Sequence, residues 1–308
     1  MTQLSIVMYH YVRPIKESEW PNIKGLELEG FRRQIDYLSS QYQIVTAEDV
    51  IDAVRMGKEL PSNACWLTFD DGYKDHYLHV LPELCKKGIQ GSFFPPVKPI
   101  TERVMLDVNS IHHILASVND MNSLVADLNS DCRNFGITDN DVKRLWEEYA
   151  VASRYDTKEV IYVKRLLQHA LPEAIRNEIT SNLFQKYVGL SQAEFADQLY
   201  MSEEEVKALV VSGMYVGSHG YRHLWLNKED RSSQKSEIDL SLEFLSGIGA
   251  RTKDWIMCYP YGAFNQDTLD YLDQVECAVG VTTEVGKVDL NAHNPLKMPR
   301  FDTNDFPQ

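Results

Sequence analysis

The chain has 308 residues, 44% hydrophobic and 25% charged, which suits an ordinary globular protein with a sizeable core, one large α/β domain or two small ones. A formal charge of −14 without a dense basic cluster argues against a nucleic-acid surface and against docking on anionic lipid, and suits a neutral or cationic small molecule or glycan. The five cysteines (Cys65, Cys85, Cys132, Cys258 and Cys277) are scattered, with no C-x-x-C pair, the pattern of reduced thiols in a cytosolic protein; Cys65 and Cys258 lie in apolar runs and read as packing residues.

The chain begins "MTQLSIVMYHYV", with no basic segment and no long apolar one, and reads as a first strand rather than a signal peptide. No run approaches the length of a membrane span, so the expectation is a cytoplasmic protein. Strand-length apolar runs follow at 4–9, 64–69, 89–94, 214–218, 255–259, 277–282 and 297–301. Between them lie helix-period stripes: Phe31, Ile35 and Leu38; Tyr77, Val80, Leu81 and Leu84; Ile238, Leu242 and Leu245. Alternating strand and helix implies parallel strands joined by right-handed crossovers, in either an open sheet or a barrel. Residues 100–205 break the pattern with helical stripes only, punctuated at Gly136, Leu171-Pro172 and Gly189. This stretch reads as an all-helical insertion, a lid or a partner surface, between barrel segments 1–99 and 206–308.

The run 66–76, "WLTFDDGYKDH", ends in adjacent carboxylates, Asp70 and Asp71, followed by Gly72. A turn at Gly72 would hang both over the strand's carboxyl end, where they would repel unless a cation sat beside them. A divalent metal answers that need; one Asp capping the next helix with the other solvated is the plainer alternative. Residues 216–223, "VGSHGYRH", place His219 and His223 four apart, again directly after a strand-like run. Strand ends on one rim of a parallel sheet or barrel are where ligands bind in such folds. One carboxylate with two imidazoles leaves metal positions open for water and substrate, and the second carboxylate can then take a proton. That donor set suits Zn2+, with Co2+, Ni2+, Fe2+ and Mn2+ as alternatives.

"TFDDG", the downstream His-x-x-x-His and "CYPYG" at 258–262 together resemble the polysaccharide deacetylases, the NodB-homology or carbohydrate esterase family 4 group. The resemblance covers roughly 1–95 and 205–305. It implies a distorted (β/α) barrel of fewer than eight units and hydrolysis of N-acetyl groups from amino sugars, and with no signal peptide it points to surface-glycan assembly in bacteria. Carried over, it makes Asp70 the general base, Asp71, His219 and His223 the metal ligands, and the Tyr261 backbone N–H an oxyanion donor. The chain departs from the family at several places. Gly220 stands where Ser or Thr is usual, which should loosen the loop. Cys258 and Tyr259 stand where an Arg orients the base, leaving Arg300 in "MPRF" to supply a guanidinium from another direction. No C-terminal Leu-x-x-His follows, and His293 in "NAHNP" reads as a loop residue. His10, at the end of the first strand, takes the acid's place if the chain resembles the family's circularly permuted branch.

Of the other histidines, His76 and His79 are expected on a solvent or flanking helix face, His112 and His113 open the insertion, and His169 sits on a helix surface. Asp107 and Asn109 could fold over the site, with helix capping as the alternative for Asn109 or Ser110. Tyr9, Tyr11, Tyr73, Trp225 and Tyr261 offer rings for sugar stacking or for core packing. Two other functions fit less of the sequence: metal-dependent hydrolysis of a non-sugar amide or imide, and a weakly active glycan-binding or assembly protein. The sequence names neither the sugar nor the oligomeric state.

Overall fold

The computed structural model describes residues 3–153 and 156–308 and divides into two units: Met1–Pro14, Gly25–Arg103 and Leu199–Gln308 in one, Ile15–Lys24 and Val104–Gln198 in the other.

The first unit is built on seven parallel segments that are neighbours in chain order: β1 (Gln3–Tyr9), β2 (Ala64–Asp70), β3 (Ser92–Phe94), β4 (Tyr215–Val216), β5 (Trp255–Cys258), β6 (Cys277–Val281) and β7 (Phe301–Asp302). The first four pair in continuous register, Val7 opposite Leu67, Phe69 opposite Phe93 and Phe93 opposite Val216. Two single bridges carry the ring onward. Ser218 pairs with Met257 and links β4 to β5, while Val281 pairs with Met298 just before β7. β7 returns to β1, Val7 opposite Phe301. The result is a distorted (β/α) barrel of fewer than eight units. Its weakest joint has a sequence cause. The run 297–301 is strand only at Phe301–Asp302, because Pro299 can donate no ladder hydrogen bond and Pro295–Lys297 forms a 3-10 turn.

Crossover helices follow the strands as parallel pairing requires: α1 (Leu28–Gln41) and α2 (Ala47–Met56) after β1, α3 (Leu81–Lys87) after β2, α4 (Glu203–Val211) before β4, α5 (Arg231–Gly247) after β4 and α6 (Gln266–Gln274) after β5. Within β2, alternation puts Ala64, Trp66, Thr68 and Asp70 on one face and Cys65, Leu67 and Phe69 on the other. The barrel core gathers Leu4, Ile6, Trp66, Phe94, Ile256, Cys258 and Val281, all at 0% exposure. Trp66 finds its polar partner there, donating from Nε1 to Ser92 Oγ at 2.7 Å.

The second unit is helical, with helices at Asp107–Ser117, Met121–Asn134, Asp139–Tyr149, Lys158–Arg165, Glu173–Val188 and Gln192–Leu199. Asp120, Thr138 and Thr157 cap three of them through their side chains. Pro172 opens another and Gly189 closes it in the left-handed conformation. Asn109 and Ser110 do not cap: the helix starts at Asp107, both lie inside it, and Ser110 Oγ donates back to the Leu106 carbonyl. Residues 15–24 also belong to this unit, Trp20 packing edge-on to His113 and Phe195; a ten-residue excursion so far from 104 in sequence carries no local pattern that announces it. Among the described residues no helix is long and apolar enough to cross a membrane.

Candidate metal and catalytic centre

The carboxyl ends of β1, β2, β4 and β5, with Arg300 just before β7, bring the sequence-predicted residues together. Asp70 is the last residue of β2; Asp71 then turns into the left-handed region with φ 73° and Gly72 follows at φ 67°. Two successive left-handed residues fold the chain back so that neighbouring carboxylates reach the same rim. Only glycine fits at 72: a Cβ there would lie 2.8 Å from Pro95 Cβ and 3.1 Å from Pro95 Cα.

The two carboxylates have different partners. Asp70 is gripped bidentately by Arg300, Oδ1 accepting from Nη1 at 2.9 Å and Oδ2 from Nη2 at 2.7 Å. Arg300 is 1% exposed and is itself aimed by donation from Nε to the Thr282 carbonyl at 2.8 Å and from Nη1 to Thr68 Oγ1 at 3.1 Å. Burial works to raise the Asp70 pKa, but the guanidinium outweighs it and holds the carboxyl below its ordinary range. Asp71 Oδ2 accepts from the Tyr73 hydroxyl at 2.6 Å, and Oδ1 faces both His219 Nε2 and His223 Nε2 at 3.3 Å. Burial opposes charge on Asp71 too, and the two imidazoles more than offset it.

His219 donates from Nδ1 to the Cys258 carbonyl at 2.8 Å, so its lone pair sits on Nε2, directed at Asp71. A neutral imidazole lone pair facing a carboxylate oxygen in a dry site is repulsive unless a proton or a cation lies between them. Asp71, His219 and His223 are 4%, 3% and 7% exposed, and their donor atoms lie within 4.8 Å of one another. This His₂Asp set fits a divalent ion. A second grouping, Asp70 with His219 and Cys258, meets the same distance limit. It is the poorer set, since Arg300 occupies both Asp70 oxygens and burial pushes the Cys258 thiol pKa up, away from the thiolate a metal needs.

Around this centre, Tyr261 holds a left-handed backbone, φ 58°, with its ring edge-on to His223 at 4.6 Å and stacked on Trp225 at 4.3 Å. His10 directly follows the end of β1 and is half-buried. His76 corrects the expectation of a solvent or flanking position. It is fully buried among Phe69, Tyr73 and Phe93, and its Nε2 donates to the His10 carbonyl at 2.9 Å. Burial takes its pKa down to about 4, so the ring is neutral. His293 and His169 are exposed, as the sequence suggested. Nor is the His219–His223 loop loose at Gly220. The buried Glu237 on α5 accepts from the backbone amides of Tyr221 and Arg222. The sequence carried a weak sign of it: Gln234, Glu237 and Ser241 form a polar stripe at helical spacing beside the apolar one, and all three are buried.

The chain is thus a parallel α/β barrel with a His₂Asp cluster at its carboxyl rim, and three comparisons show what it is similar to. The family model described as polysaccharide deacetylase matches residues 174–280, a span that contains His219, His223 and Tyr261 but not Asp70 and Asp71. YxkH of Bacillus subtilis (strain 168), which carries the same family name, is 31% identical over 87 residues, 28% of this chain and 31% of YxkH, so the match spans under a third of that relative's length. The fold is that of three solved structures. The Streptococcus pyogenes deacetylase PplD, in complex with acetate, superposes with TM-score 0.60 at 17% identity over 97% of this chain and 92% of its own. IcaB from Ammonifex degensii gives 0.54 at 17% over 97% and 91%, and the deacetylase domain of BpsB from Bordetella bronchiseptica 0.55 at 13% over 98% and 96%. Over residues 174–280 the chain is similar to the polysaccharide deacetylase family.

Proposed function

We propose that this protein is a metal-dependent N-deacetylase that removes acetyl groups from an amino sugar within a glycan or glycan precursor, in bacterial surface polysaccharide biosynthesis. The observation that carries the reading is the convergence of two imidazole Nε2 atoms on one Asp71 oxygen, with a second, differently held carboxylate beside them. The family match and the acetate held by the structurally similar PplD support it.

Asp71, His219 and His223 would hold the divalent ion, for which the nitrogen-rich donor set favours Zn2+. Bound there, the ion would acidify a water and polarise the acetamide carbonyl. Asp70 then serves as the base. Its pairing with Arg300 keeps it ionised and ready to accept the water's proton, and fixes the carboxylate in orientation. The Tyr261 backbone N–H assists with the negative charge that develops on the carbonyl oxygen. His10 returns a proton to the departing amine, its backbone fixed by His76. The half-buried Trp225, stacked on Tyr261, is a ring that a sugar face can approach.

The test is acetate release from N-acetylglucosamine oligomers by protein loaded with one equivalent of zinc or cobalt, before and after a chelator. Loss of release on chelation and in Asp70→Asn supports the reading. Purified protein that holds no divalent ion, or turnover of small cyclic imides without turnover of acetylated sugars, overturns it.

A further inference from the structure

The loop that bears both metal-binding histidines is fastened from two sides. On one, the helix Val97–Glu102 offers its first amides: Val97 N donates to the Gly220 carbonyl at 3.3 Å and Lys98 N to the Tyr221 carbonyl at 2.8 Å. On the other, α5 presents buried polar side chains. Ser241 Oγ bonds Ser218 Oγ at 2.7 Å, and Ser218 Oγ accepts from Gly220 N at 3.2 Å. One turn earlier, Glu237, 1% exposed, accepts at Oε2 from Tyr221 N at 3.1 Å and Arg222 N at 2.7 Å, and at Oε1 from Arg222 Nε at 2.7 Å.

Consecutive amides pointing at one oxygen form a small anion-binding concavity, here filled by the chain's own carboxylate. The fit is close: a Cβ at position 220 would come within 3.3 Å of Glu237 Oε2, on a backbone already at φ 71°. The residue that follows the clamped amides is His223, which sits at φ 61°, a left-handed conformation that costs a β-carbon-bearing residue about 1 kcal/mol or more. Something must hold it there, and Glu237 accepts from the backbone amides of both preceding residues, while Lys98 N holds the Tyr221 carbonyl.

From this geometry we infer that Glu237 is a positioning residue that pre-sets the His219–His223 pair for metal binding, its carboxylate and the Arg222 guanidinium acting as one clasp. It never touches the ion. It acts by keeping the peptide units of residues 221 and 222 in the one arrangement that aims His223 Nε2 at Asp71, so the ion does not have to order the loop as it binds. The inference rests on the proposed metal site.

The test measures zinc affinity by competition with a chromophoric chelator, on full-length protein, for the parent, Glu237→Gln, Glu237→Ala and, as a charge-matched control on an exposed position of α5, Glu243→Gln. Outer partners of metal ligands typically change affinity by about 10- to 100-fold. Glu237→Gln keeps one acceptor but sets an amide against Arg222, and its dissociation constant should rise about 10-fold. Glu237→Ala should rise about 100-fold, while Glu243→Gln stays within about two-fold. The visible absorption of bound Co2+ should weaken and broaden in the Glu237 variants, which a loss of general stability alone would not produce. If Glu237→Ala does not fold, the isosteric Glu237→Gln decides. Zinc affinity and a cobalt spectrum in folded Glu237→Gln that match the parent overturn the inference. A parent that binds no zinc at all overturns the proposed function, and this inference with it.

Discussion

Replacing Arg300 with methionine should be among the most damaging single changes in the barrel. The guanidinium is 1% exposed and makes two charge-assisted bonds to Asp70, at 2.9 and 2.7 Å, with further donation to Thr282 O and Thr68 Oγ1. Arg300→Met removes the cation and leaves a 2%-exposed carboxylate without its counter-charge. Breaking a buried pair on one side costs about 3–5 kcal/mol. With an unfolding entropy of about 2.1 cal/mol/K per residue, the 308 residues give about 0.65 kcal/mol/K, so about 4 kcal/mol lowers the midpoint by about 6 °C. The double variant Arg300→Met/Asp70→Asn removes both charges and should recover a large part of the loss, a coupling above about 1.5 kcal/mol. The measurement is urea and thermal unfolding of parent, both single variants and the double, with a chelator present so that no ion contributes. The parent's advantage should be complete above the ordinary aspartate pKa and fade as pH falls through the lowered folded value, since a depressed carboxylate pKa stabilises only while the group is ionised. An Arg300→Met cost under about 1 kcal/mol, or a double variant no more stable than Arg300→Met, refutes the reasoning.

Three other substitutions probe separate parts of the site. His76→Phe should flatten the acid side of the stability profile: with a folded pKa of about 4 against 6.5, neutral His76 stabilises fully above about pH 6.5 and loses about 3 kcal/mol as pH falls to about 4, so unfolding free energies at pH 7 and pH 4 should converge by roughly that amount in the variant. Gly72→Ala, forced into φ 67° against Pro95 at 2.8 Å, should cost about 2–4 kcal/mol by thermal unfolding and weaken zinc binding with it. His10→Ala should lower kcat about 10²- to 10⁴-fold with KM little changed, and the deficit should shrink for an acetate ester whose leaving group needs no proton; an undiminished deficit on the ester would assign His10 another role.

What the sequence made legible was local. Asp70, Asp71 and Gly72 are contiguous, His219 and His223 are four apart, and each set follows a strand, so chemistry and position could be read from a few residues. His76 was legible as well, though misread. Tyr73, His76, Val80 and Leu84 fall at helical spacing on one face, and that face is buried, so periodicity already placed the ring inward. Gly220 misled for a different reason. The missing hydroxyl suggested a loose loop, but the amides of Tyr221 and Arg222 are held by Glu237, on α5 and well downstream of the loop, and no local pattern reports a hydrogen bond across a crossover. The barrel itself was one of two architectures the alternation allowed. What decides it is the pair of single bridges at Ser218 and Met298, each too short to appear as a strand-length run.

The cysteine at 258 and the placement of Arg300 are two sides of one packing problem. A guanidinium on β5 would project into the same barrel space that Cys258 occupies, where Arg300 Nη2 already lies 3.4 Å from the Cys258 sulfur. The core is closely packed, and two cations beside one carboxylate would repel. A small, neutral thiol at 258 therefore follows from a guanidinium arriving at 300. The same closure explains the route. Met298 is bridged to β6 and Phe301 to β1, so the residues between them must cross the barrel's last gap, and Arg300, with its amide held by the Glu284 carbonyl at 2.8 Å, is turned inward by that crossing. The charge that holds Asp70 is thus tied to ring closure. A change that opens the β6–β7 joint should raise the Asp70 pKa without touching Asp71, His219 or His223.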